Sequence, residues 1–190
     1  MSQLLALLGL ALLLLLLGLV IWYLLPRRFR GSESVASAYD QWTQDQLLER
    51  LWGEHIHLGF YGSPPQRRDF RAAKQDFVDA LASWGEIDKL PAGTRVLDVG
   101  CGIGGSSRRL ASRFGFDVLG VSISPGQVDR ARQLTPDGMS CQFQTMDALQ
   151  LDLPDSCMDV VWTVECAPHI ADKQLLIKKS LINLKKLMGL

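Results

Sequence analysis

The chain has 190 residues, 47% of them hydrophobic, and its 20 basic and 20 acidic side chains give a formal net charge of 0. That size allows one modest domain with appendages, and the neutral balance excludes a general nucleic-acid-binding surface. The four cysteines, at 101, 141, 157 and 166, read as free thiols rather than a disulfide scaffold, and neither they nor the histidines at 55, 57 and 169 show metal-ligand spacing, so no metal is expected.

Residues 4–25 carry no charged side chain and include six consecutive leucines from Leu12 to Leu17. As a helix this stretch would extend about 33 Å, enough for a bilayer core. It is longer than a signal-peptide core and no basic residue precedes it, which favours an uncleaved transmembrane anchor over a signal peptide. Trp22 and Tyr23 stand where interfacial aromatics belong, and Arg27, Arg28 and Arg30 follow. The expectation is a single-pass protein, partnered by the bilayer, with the remaining chain on the cytoplasmic side.

Residues 26–37 read as a juxtamembrane linker, and 38–93 as a helical lid region. Within it, Trp52 to Gly62 is dense in aromatics and histidines; alternation about Ile56 puts His55 and His57 on one side of an extended segment. Phe70, Ala73, Phe77, Val78, Leu81 and Trp84 recur at helical spacing, predicting a helix over 69–90 that ends at Pro91-Ala92-Gly93.

Residues 95–110, RVLDVGCGIGGSSRRL, organise the chain. A buried strand over 96–99 runs into glycines at 100, 102, 104 and 105 and then a helix, which is the first unit of an open, Rossmann-like α/β sheet. The glycines allow a tight turn and close approach to a ligand, and the helix start points free N–H groups at the crevice. A P-loop would need a Lys–Ser/Thr pair after the glycines. A dinucleotide site would need an acid at the end of the next strand, where this chain has Ser122, Ile123 and Ser124. A second strand over 116–121, a helix from Pro125 and a third strand over 141–145 follow. Asp147, at the third strand's carboxyl end, is placed to accept from an adenine amine. A fourth strand over 158–164 leads to Glu165 and His169, four apart. If that loop turns helically they share a face toward the crevice, as a general base requires.

Asp98 with the glycine loop resembles motif I of the S-adenosylmethionine-dependent methyltransferases. VASAYDQWT (35–43), WGEHIHLGFYG (52–62), VLDVGCGIGGSSRRLA (96–111), GVSISPGQVDRA (120–131) and DVVWTVECAPHIADK (159–173) together resemble the prenyl-quinol C-methyltransferases of tocopherol synthesis, with γ-tocopherol and sterol methyltransferases also similar. The resemblance implies a class I methyltransferase domain over 94–173 and S-adenosylmethionine as cofactor. It implies a lipophilic, phytyl-type benzoquinol as substrate, methylated at a ring carbon. Tyr39 would close over the cofactor, and Asp98, Gly100, Gly102 and Gly104 would cradle its amino-acid end. Ser122 and Ser124 would stand near the ribose, Asp147 and Ala148 would border adenine, and Glu165 and His169 would face the acceptor.

Such domains normally have seven strands, and four are readable. Residues 174–190 form a Lys/Leu-rich tail that departs from the family pattern. Leu175, Leu176, Leu181, Leu184 and Leu187 partly share a face, as on a membrane-surface helix, but the favoured expectation is a truncated or frameshifted product. Two alternatives to an active enzyme stay open on these residues: a noncatalytic anchored remnant that binds S-adenosylmethionine, and an anchored NAD-binding oxidoreductase.

Overall fold

A computed structural model describes residues 2–24, 31–44 and 46–184, with the side chains of 2–6, 8, 22–24, 32 and 47 left aside. Two compact units are present, Met1–Arg30 and Gly31–Leu190. The first contains helix α1 (Ser2–Leu24). The expectation of a transmembrane anchor is corrected here: among the described residues, no helix is long and apolar enough to cross a membrane. The bilayer partner and the single-pass localisation rested on that anchor and fall with it. Trp22, Tyr23, Arg27, Arg28 and Arg30, which supported the anchor, lie outside the residues whose side chains are described, as do Lys185, Lys186 and Leu187 of the tail.

In the second unit, helix α2 (Ser32–Gln44) occupies the second half of the expected linker, and α3 (Leu47–Trp52) follows. Helix α4 (Phe70–Trp84) begins where Asp69 accepts from the amides of Arg71 and Ala72 at 3.0 Å each, and ends at Gly85. Its buried residues, Ala73, Lys74, Val78 and Ala82, recur at three- to four-residue spacing along one face. A single 3-10 turn, Ile87–Lys89, replaces the last turns expected of this helix.

The sheet consists of β1 (Arg95–Val99), β2 (Asp117–Ser122), β3 (Cys141–Thr145) and β4 (Val160–Trp162), all parallel in the order β3-β2-β1-β4. Helices α5 (Gly105–Phe114), α6 (Pro125–Leu134) and α7 (Lys173–Asn183) complete the fold. Strand β1 is buried on both faces. Val96 packs with Val78, Leu110 and Phe116 under α4 and α5, whereas Leu97 and Val99 pack with Leu151, Met158 and Leu176 under α7. β1 pairs in register with β2 (Leu97↔Leu119) and with β4 (Leu97↔Val161). Successive strands run outward from β1 to β3 and then cross back to β4, so the switch point lies between β1 and β4, and its crevice opens at their carboxyl ends.

Residues 173–183 form a helix whose Leu176 is buried while Ile177 and Leu181 are exposed. Past it, Met158 and Leu184 form a parallel bridge, and the amides of Ser156 and Met158 donate to Ile182 and Asn183 carbonyls at 2.9 Å each. Leu184, the first residue after α7, thus lies beside Met158, two residues before β4.

Phe143 is 4% exposed and sits opposite Gly120 in the β2–β3 ladder. A Cβ on Gly120 would come within 2.7 Å of its ring, as would one on Gly104. One aromatic ring therefore fills space that two glycines leave open. Gly120→Ala is expected to destabilise the protein by about 1–3 kcal/mol and Phe143→Ala by about 3–5 kcal/mol. The double variant should lose clearly less than the sum, because the smaller side chain vacates the site of the clash; urea unfolding of the four proteins measures the coupling.

Candidate functional site

The crevice at the switch point is built on the loop joining β1 to α5. Gly100, Gly102 and Gly104 have φ of 78°, 57° and 84°, in the left-handed region that favours glycine. The amides of Gly100 and Cys101 both donate to the Val121 carbonyl, at 2.9 and 3.0 Å, which folds the loop back over β2. A Cβ on Gly100 would come within 2.5 Å of Cys166 Sγ, across the crevice on the segment after β4. On Gly102 it would meet only Ile56 Cδ1, at 3.6 Å, so this is where the loop stands open.

Asp98 lies at the base of the crevice with 2% exposure, and Ser107 Oγ donates to its Oδ2 at 2.6 Å. Burial pushes its carboxyl up to about 6, and the Ser107 bond only partly offsets this. An acid forced upward by desolvation is relieved by a cation set against it. The open loop at Gly102 and this unrelieved carboxylate together fit the zwitterionic amino-acid end of S-adenosylmethionine.

Ser122 and Ser124, expected beside a ribose, are committed elsewhere. Ser122 Oγ donates to Gln127 Oε1 at 2.8 Å, and Ser124 Oγ caps α6 and donates to Asp40 Oδ1. Gln127, held by Ser122, lines a cleft with Tyr39, Trp42, Ile56 and Ile103. Neither Gln127 nor Ile103 was singled out in the sequence. The signal was there for Gln127, three residues past a serine cap in SPGQ. Asp147 follows β3 as expected, its Oδ1 accepting from Leu149 N–H at 2.8 Å, and Ala148 is half-buried beside it.

Glu165 and His169 are exposed at the crevice mouth. They do not share one helical turn: Glu165 has φ 53°, and a separate 3-10 turn, Ala167–His169, follows. Each is met by a different part of the lid. The Leu58 N–H donates to Glu165 Oε1 at 3.1 Å, and Tyr39 Oη lies 3.2 Å from His169 Nε2. Burial raises the Tyr39 phenol above its ordinary value.

The lid is fastened by polar contacts of long sequence reach. Asp40 Oδ1 also accepts from the Gly126 amide at 2.9 Å, Glu49 grips Arg130 with two bonds of 2.7 Å, and Glu54 pairs with the buried Arg108 at 2.6 Å. The backbone of Glu54 passes so close to Gly105 that a Cβ there would lie 2.5 Å from its carbonyl oxygen. His55 and His57 do lie on one side, His55 Nδ1 being 3.1 Å from His57 Nε2. Desolvation, with repulsion from His57, Arg108, Lys74 and Arg109, takes His55 down to about 3; desolvation also lowers His57. Among the described residues, no group of three or more His, Cys, Asp or Glu is gathered as a metal ion needs.

The Methyltransferase domain family matches residues 96–186. The chain is 55% identical over 161 residues to the 2-methyl-6-phytyl-1,4-hydroquinone methyltransferase of Synechocystis, a match covering 85% of this chain and 51% of that protein. The chain is similar to methyltransferases over most of its length. It is also 38% identical over 145 residues to the chloroplastic tocopherol O-methyltransferase of Arabidopsis thaliana, covering 70% of this chain and 41% of that one. Thus the chain spans about half the length, or less, of these curated relatives. Among solved structures it resembles the [4+2]-cyclase SpnF with a TM-score of 0.72 and 28% identity, over 82% of this chain and 57% of that one. A protein named as a cyclase shares this fold, so the fold alone does not fix the reaction. The family match runs through α7, in the stretch expected to depart from the pattern.

The Asp98 carboxyl binds a proton near pH 6 in the folded chain and near 3.8 when unfolded, so its contribution to stability is lost as pH rises through about 6. Asp98→Asn is therefore expected to be more stable than the ligand-free parent by about 1–3 kcal/mol at pH 7.5, with the advantage vanishing by pH 4. The same variant should lose S-adenosylmethionine binding. Urea unfolding at the two pH values and calorimetric titration check the two halves.

Proposed function

We propose that the crevice between β1 and β4 binds S-adenosylmethionine and that the protein methylates an aromatic ring carbon of a prenylated benzoquinol. The observation that carries this reading is the 55% identity to the Synechocystis hydroquinone methyltransferase, which extends across 85% of the chain. When bound, the sulfonium supplies a methyl group already activated for attack.

The chain's own residues then have three tasks. Asp98 holds the cationic amino group at the base of the crevice, with Gly100, Gly102 and Gly104 letting the backbone come close. Tyr39 and the aromatic lid shut water out, and Asp147 and Ala148 border the adenine. Ser122 and Ser124 act at the ribose end indirectly, since their hydroxyls already bond Gln127 and Asp40; Gln127 is the group in reach of the ligand. Loss of a phenolic proton drives electron density onto the attacking ring carbon. Glu165 and His169, at the mouth and opposite the lid, orient the quinol hydroxyl and accept its proton.

Incubation with methyl-labelled S-adenosylmethionine and 2-methyl-6-phytyl-benzoquinol should give a product with one further ring methyl. Glu165→Gln keeps an acceptor for the Leu58 amide but cannot take a proton, and His169→Ala removes the second candidate. At least one of the two should lower kcat by about 10²- to 10⁴-fold. Wild-type rates in both variants would remove these residues from the reaction.

A further inference from the structure

Three bonds connect two buried histidines to the mouth of the crevice. His57 Nδ1 lies 2.7 Å from the Leu58 carbonyl oxygen, which can only accept, so Nδ1 carries a proton. In the neutral ring Nε2 is then an acceptor. It faces His55 Nδ1 at 3.1 Å and Ser106 Oγ at 3.4 Å, and His55 Nδ1 must donate to it. Leu58 is thus held on both sides of its Cα: its carbonyl, in the peptide to residue 59, meets His57, and its N–H, in the peptide from residue 57, donates to Glu165 Oε1 at 3.1 Å. His55 and His57 are 9% and 7% exposed, and the His57 ring packs on Phe77 with centroids 5.2 Å apart. Lys74, 3% exposed, clamps the same segment by donating to the Trp52 and His55 carbonyls at 2.7 and 2.8 Å. Glu165 itself has φ 53°, a conformation unfavourable for a residue with a side chain and needing support from its surroundings.

We propose that His55 and His57 are positioning residues for Glu165: the imidazole pair holds the Leu58 carbonyl, which restrains the Leu58 backbone, and the N–H on the other side of the Leu58 Cα aims the carboxylate across the crevice. Neither histidine touches the substrate. His55 holds the acceptor Nε2 of His57, His57 Nδ1–H holds the Leu58 carbonyl and so limits rotation of the Leu58 backbone, and the Leu58 N–H holds the carboxylate. The pair serves this purpose only while neutral, because a second donor at the His57 Nε2 position would oppose His55 Nδ1–H. Lys74, Arg108 and Arg109 near the pair disfavour added positive charge, and Glu165 is the acid that favours it at His57. The functional value of this arrangement rests on the methyltransferase reading above, whereas the hydrogen-bond chain stands without it.

The test uses the full chain with His57→Phe, which keeps a packed ring but no donor, and His57→Asn, whose amide restores a donor toward the Leu58 carbonyl. In His57→Phe, kcat should fall at least tenfold with little change in the calorimetric Kd for S-adenosylmethionine; His57→Asn should recover most of kcat. The Leu58 amide proton resonance should move upfield in the Phe variant and return in the Asn variant. In the unmutated protein, ¹⁵N spectra of labelled histidine should show His57 protonated at Nδ1 and accepting at Nε2. Equal loss of kcat in both variants, or a Leu58 resonance indifferent to His57, overturns the proposal. Should His57→Phe not fold, the tautomer in the parent and the Asn variant decide. A parent chain inactive on every quinol but with the expected tautomer and amide shift would sink the substrate reading and leave the hydrogen-bond chain standing.

Discussion

Asp98 lies in the strand that both β2 and β4 pair with, so its carboxylate cannot move toward water without breaking two ladders. Burial in that position raises its proton affinity, and one serine hydroxyl is too little to offset the loss of hydration. The rest of the crevice follows from this fixed, under-compensated charge. The loop beyond it must turn sharply enough to leave room for a cation, which glycine at 100, 102 and 104 permits. Ser107 must come from the first turn of α5, which sets where that helix begins. The ligand-free state is thus held above its minimum in free energy at the point where a charged ligand end would sit, a form of preorganisation built from one buried acid.

The second constraint is the lid. It has little apolar attachment to the sheet near the crevice and is held by carboxylates reaching across it: Asp40 to the start of α6, Glu49 to Arg130, Glu54 to Arg108. Asp40 accepts from two groups and Glu49 grips Arg130 with two bonds, which makes these contacts more directional than single surface pairs, and Glu54 meets an Arg108 that is buried. Such fastenings fix the register of the lid over the crevice without a hydrophobic seal that a substrate would have to break. The same lid supplies Leu58 and Tyr39 to Glu165 and His169, so the mouth of the site is assembled from both sides.

What the sequence made legible is what is local. The strand–glycine–helix unit at 95–110, the four strands and the placement of Glu165 and His169 after the last of them all follow from patterns within a few residues. Boundaries were less legible: α2 begins at Ser32 rather than near Ala38, and β4 is three residues long where seven were expected, since the Asp159 carboxylate accepts from the Arg95 amide instead of the strand starting earlier. The membrane anchor read from the leucine-rich start did not survive among the described residues. Ser122 and Ser124 stand where the pattern put them, yet the Ser122 hydroxyl faces Gln127, five residues on, and that of Ser124 faces Asp40, a partner 84 residues away that leaves no periodic trace. Gln127, by contrast, is held by Ser122 only five residues before it, so its place was legible locally.

The long reach of the lid contacts has a kinetic side. Asp40 meets Gly126 across 86 residues and Glu49 meets Arg130 across 81, whereas the β1–α5–β2 unit closes within about 30. Loop closure over the shorter span costs less entropy, so the cradle is the natural folding nucleus and the lid the last part to dock. The order reverses on opening: residues 31–62 can detach while the sheet persists, giving the protein a sub-global unfolded form in which the ligand path is uncovered without loss of the core.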